Sequence, residues 1–128
     1  MPKFSWTIFT VTAAAFIVFL STVPLQLPPL NNIGLSIDKL AHCLAYFVLS
    51  TNLGLALELD WGIKNNNMKV FLSVFLFGLS LEIIQGYLFV YRAFETYDLL
   101  ANTVGILVFI LLAKTIKKIV VKSRIFIN

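Results

Sequence analysis

"KVFLSVFLFGLSLEIIQGYLFV", residues 69–90, decides the fold. Its twenty-two residues carry two charges, Lys69 and Glu82. At about 1.5 Å of rise per residue a helix of this length reaches ~33 Å, enough to cross a ~30 Å hydrocarbon core. A strand of such length would be exceptional, and the run lacks the alternation of a barrel strand. Inside a bilayer the backbone must satisfy its own hydrogen bonds, so the stretch is expected to be a transmembrane helix.

Three more runs of the same kind flank it. With approximate bounds, the four helices are expected at 4–23, 39–59, 69–90 and 98–121. The composition agrees: of 128 residues, 59% are hydrophobic and 12% charged, too few polar groups to cover a soluble domain. The first run is too long for the apolar core of a signal peptide, and no small-x-small site follows it. Pro24, Pro28 and Pro29 stiffen the first connection. "DWGIKNNN" (60–67) and "YRAFETYD" (91–98) form the other two. The expected fold is all-α: one integral membrane four-helix bundle, a single domain over residues 1–128. The lone Cys43 excludes a disulfide framework and a thiolate metal cluster.

The basic residues are unevenly placed. Lys3, Lys64, Lys69, Lys114, Lys117, Lys118, Lys122 and Arg124 fall at the N-terminus, the second connection or the tail. Lys39 and Arg92 fall on the other side, eight against two. The positive-inside bias then puts both termini in the cytoplasm. Trp6 and Trp61 are expected at the inner interface, and Tyr87, Tyr91 and Tyr97 near the outer one. The tail is expected to rest on anionic headgroups, and nucleic acid is not an expected partner.

On that topology the intramembrane polar side chains gather in the outer half. Asp38, His42 and Tyr46 share a face of the second helix by their spacing of four. Glu82 and Gln85 share a face of the third. Asp98, Asn102 and Gly105 line the fourth. Lys39 and Arg92 stand close by. Groups of this kind are costly against lipid, so they are expected to turn inward as an outward-facing polar pocket. Taken singly, Asp38 and Asp98 are ordinary helix-start residues, Lys39 and Arg92 can snorkel, and Asn102 can be interhelical glue. Glu82 is expected to meet Lys39, His42 or Arg92. "DKLAH" (38–42) and "DLLAN" (98–102) match sixty residues apart, which points to parallel repeats of two helices each. Gly54, Gly78, Gly86 and Gly105 are expected to let helices approach closely.

Together these residues resemble the VanZ-like family of small bacterial membrane proteins. The shared pattern is D-K-x-x-H with an aromatic four residues later, E-x-x-Q, a following Arg, and D-x-x-x-N-x-x-G. It falls on Asp38, Lys39, His42, Tyr46, Glu82, Gln85, Arg92, Asp98, Asn102 and Gly105, and the likeness covers about residues 36–112. The resemblance implies a multi-pass protein of the bacterial inner membrane. The family takes its name from a protein associated with resistance to the glycopeptide teicoplanin. It implies no agreed reaction.

Three functions follow as expectations. In the first, the pocket binds an anionic lipid headgroup or a cell-envelope precursor through Asp38, Lys39, His42, Tyr46, Glu82, Gln85, Arg92, Asp98 and Asn102. In the second, an enzyme modifies an envelope lipid with His42, Glu82 and Asp98 as candidate catalytic groups. Ser36 and Ser50 are weak nucleophile candidates without an assigned base. In the third, the chain is a homo-oligomer or an accessory subunit of a larger membrane complex. Membrane lipids are expected partners throughout. No cofactor motif is present, and one histidine among acids is thin for zinc, so no metal is expected.

Overall fold

The computed structural model describes residues 4–23, 37–88 and 95–127. Arg92, Tyr91, Ser36 and the prolines of the first connection lie outside them. Four helices make up the bundle: α1 (Ser5–Thr22), α2 (Ile37–Leu55), α3 (Asn67–Leu88) and α4 (Thr96–Ile127). All four are long and apolar enough to cross a membrane. The expected all-α architecture is therefore what folds, with no strand among the described residues.

The last turn of α2 widens into a π-helical segment over Ala56–Asp60, where the Trp61 N–H donates to the Ala56 carbonyl at 3.1 Å. Gly62, at φ 70, turns the chain out of it. Asn66 then opens α3, its carbonyl accepting from the Val70 N–H at 2.9 Å. The connection expected over 60–67 thus contracts to 61–66. α4 is longer than its apolar run suggests. Its 32 residues reach ~48 Å, so its basic C-terminal part continues well beyond a ~30 Å core.

The outside is as apolar as the inside. Phe16, Phe19, Leu44, Leu76, Leu100 and Leu111 are all exposed, as suits a lipid-facing surface. The interior holds Ile17, Leu49, Val70, Val74, Ile106, Phe109 and Ala113. Hydroxyls on the helices fold back on their own backbone. Thr10, Thr51, Ser80 and Thr103 each donate to the carbonyl four residues earlier.

α2 and α4 form the most extensive helix pair, and they run parallel. Contacts advance along both together: Lys39 with Asp98, His42 with Asn102, Glu58 with Lys117. The matching pentapeptides therefore face each other at one end of the bundle. Gly105 makes this possible. A Cβ there would collide with the Cys43 carbonyl oxygen and stand 2.9 Å from the Phe47 nitrogen, both of them backbone atoms that cannot swing aside. Gly86, in contrast, is exposed on α3.

Candidate functional site

The start of α2 lies against the start of α4. Lys39 Nζ sits among carboxylates: it donates to Asp98 Oδ1 and, at 2.6 Å, to Glu95 Oε2, and lies 3.6 Å from Asp38 Oδ2. Asp98 is buried and uses both oxygens, with Oδ2 3.8 Å from His42 Nε2. Asp38 Oδ1 lies 3.8 Å from the same nitrogen. On the other side of the ring, His42 Nδ1 is 3.0 Å from Asn102 Oδ1. A carbonyl oxygen can only accept, so Nδ1 carries the hydrogen. The Asn102 side-chain nitrogen is buried and has no partner.

Glu82 enters from α3. It is 2% exposed, within electrostatic reach of Asp98 and His42, and faced by the backbone N–H of Glu95. Among the described residues its carboxylate forms no ion pair within 4.0 Å, neither with Lys39 nor with His42. Tyr46 lies one turn below His42, with its ring over Gly78 and against Phe77 at 6.4 Å between centroids. It separates the polar cluster from the apolar core. Gln85 turns elsewhere. Its amide donates at 2.9 Å to the Ser21 carbonyl, which ties α3 to the end of α1. Arg92 lies outside the described residues. Ser50 is fully buried with its hydroxyl unpartnered, in the bundle interior.

Six expected site residues thus converge: Asp38, Lys39, His42, Glu82, Asp98 and Asn102, with Tyr46 as their floor. The sequence reading missed Glu95. It lies in what reads as a loop, and its only signal is its place one turn before Asp98. Charge decides what the cluster can hold. Four carboxylates (Asp38, Glu82, Glu95, Asp98) face one lysine and one histidine among the described residues. Asp38, His42 and Asp98 can each bring one ligand atom within 4.8 Å of the others, but the Lys39 ammonium lies against the same carboxylates. It supplies there the positive charge a metal ion would bring.

The opposite end carries a second polar set, and it is structural. Asp60 Oδ2 accepts from the Thr7 backbone N–H at 2.7 Å and from the Thr7 hydroxyl at 3.0 Å. It thereby caps the first turn of α1 from a distant segment. Trp61 Nε1 donates to Thr7 Oγ1 at 3.0 Å, which places Trp61 beside the start of α1. Asn66 is fully buried. Its nitrogen donates to the Gly54 and Ile63 carbonyls, each at 3.0 Å, and its oxygen accepts from Lys117 at 2.8 Å. Lys117 also pairs with Glu58 at 2.8 Å.

Four membrane-length helices with a partly buried ionic cluster between two helix starts define a small multi-pass membrane protein. The family model described as VanZ/LLP1 matches residues 3–118, and the chain belongs to that family. No curated protein and no solved structure matches it.

Proposed function

We propose that this VanZ-family protein resides in the bacterial inner membrane and uses the Lys39–His42–Asn102 cluster, on the outer side, to bind the polar head of a cell-envelope precursor. The observation that carries the reading is the buried, unpartnered amide nitrogen of Asn102 beside His42. An orphaned buried donor costs about 1–3 kcal/mol, and an oxygen of a bound head would relieve that cost. Charge balance among the described residues favours one of the two expected ligands. Lys39 is there already countered by three carboxylates, so a bare phosphate meets an acid excess among the described residues. A head rich in hydroxyl and amide groups can instead donate to Asp38, Glu95 and Asp98 while accepting from Asn102. Altered presentation of such a precursor is the route by which the protein would affect teicoplanin susceptibility.

The test is co-purification. Wild type extracted gently from bacterial membranes should retain precursor detectable by mass spectrometry, and Asn102→Leu should not. Equal retention by both would sink the reading. A second reading, acid–base chemistry on the bound head, draws on the placement of His42 Nε2 3.8 Å from both Asp38 and Asp98. There His42→Gln should still bind the precursor while its converted form disappears. Conversion persisting in that variant would exclude it.

A further inference from the structure

A cleft of about 720 Å³ opens at the end of the bundle remote from Lys39. One wall is α4, which presents Lys114, Lys118 and Lys122 at successive spacings of four, a row rising about 6 Å per step. The other wall is the α2–α3 turn, with Lys64 and Asn65 beside the first residue of α3, Asn67. Lys117 stands between the walls, held by Asn66 and Glu58. That bonding satisfies Lys117 and fixes the cleft's inner edge. Lys64, Lys114, Lys118 and Lys122 are exposed around it.

A positive row at the inner interface alone would be accounted for by the bias of basic residues toward one side. Three features go beyond that bias. Like charges four apart on one helix repel, yet here three are stacked on a single face. A facing wall adds a fourth lysine, so the charges surround a volume instead of spreading over a surface. The first residue of α3, Asn67, also lines the cleft, which brings the positive end of that helix dipole to the same region. One carboxylate, Glu58, also lines the cleft, and it is taken up by Lys117 at 2.8 Å. The four remaining lysines leave a strong positive excess around a fixed rim, which suits a ligand bearing more than one phosphate.

We propose that this cleft is a second binding site, specific for a polyphosphorylated or multiply anionic phosphate group, and independent of the cluster around His42. The phosphate can belong to a membrane lipid or to a soluble molecule. Full-length protein in nanodiscs of phosphatidylcholine alone would be titrated with inorganic tripolyphosphate, with the fluorescence of nearby Trp61 as readout. In parallel, nanodiscs containing phosphatidic acid would be assayed for retained lipid by native mass spectrometry. The Lys118→Gln/Lys122→Gln double variant removes two exposed charges and leaves the Lys117 network intact. It should weaken tripolyphosphate binding, phosphatidic acid retention or both by about tenfold or more. Lys69→Gln changes a basic residue of the same end that does not line the cleft, and it should leave both unchanged. Tripolyphosphate binding assigns a soluble source, and retention of phosphatidic acid that tripolyphosphate does not displace assigns a lipid. Absence of both, or equal weakening by Lys69→Gln, overturns the site.

Discussion

Replacing Gly105 with alanine tests the helix pairing on which the Lys39 cluster rests. The added Cβ would stand 2.9 Å from the Phe47 nitrogen and 3.1 Å from the Cys43 carbonyl carbon, with the Cys43 oxygen nearer still. Ordinary carbon–oxygen approach is about 3.3–3.6 Å, so α2 and α4 must part by roughly 1 Å. Two effects oppose each other. Alanine favours a helix over glycine by about 1 kcal/mol. Overpacking against backbone costs about 1–3 kcal/mol. A 1 Å separation also stretches the 3.0 Å His42–Asn102 contact beyond hydrogen-bonding range, a further loss of about 1 kcal/mol. Destabilisation wins, by a net ~1–3 kcal/mol. The assay is reversible unfolding in mixed micelles, followed by tryptophan fluorescence, with Gly86→Ala as control. Gly86 is exposed on α3, so there the helix preference should dominate and the substitution should be neutral or stabilising. The two substitutions should therefore differ in sign. Gly105→Ala stabilising the protein as Gly86→Ala does would refute the close packing of α2 on α4.

Other substitutions probe the two polar ends. Asn66→Ala removes three hydrogen bonds, among them the buried one to the Gly54 carbonyl, so unfolding should become easier by about 2–4 kcal/mol in the same assay. Lys39→Met leaves the buried Asp98 carboxylate without its ammonium. Breaking a buried pair costs about 3–5 kcal/mol, and the partial exposure of Lys39 brings the expected loss to about 1–3 kcal/mol. Adding Asp98→Asn to Lys39→Met should recover at least part of it, and a double-mutant cycle measures the coupling. Thr7→Ala removes one bond to Asp60 and one from Trp61 while leaving the backbone cap in place, so its cost should stay near ~1 kcal/mol. Single cysteines at Tyr97 and Lys122 should label from opposite sides of the cell membrane, Tyr97 from outside, if both termini are cytoplasmic.

The helices were legible because each apolar run is long enough to span a bilayer and too long for anything else in these lengths. Their ends were less so. α4 outruns its apolar segment because lysines, which close a hydropathy window, continue a helix well. The pairing of His42 with Asn102 was foreshadowed by the match of "DKLAH" to "DLLAN", since parallel helices with the same start bring equivalent positions together. Spacing could not choose between neighbours. Gln85 shares a helix face with Glu82, yet it serves the end of α1. Asp38 and Asp98 read singly as helix-start residues. Only the tertiary arrangement shows that Lys39 holds them both. The basic cleft was illegible for a related reason. Its inner edge depends on Asn66, which bonds backbone carbonyls whose positions follow from a π-helical turn.

The binding account stands or falls most directly on what lies beside Asn102. A cryo-EM reconstruction of the protein in nanodiscs of native bacterial lipid should show non-protein density between the starts of α2 and α4. That density should reach within hydrogen-bonding distance of the Asn102 amide nitrogen and one of Asp38, Glu95 or Asp98. A cluster closed on itself, with that nitrogen bonded to a protein carbonyl and no density beside it, would contradict the account.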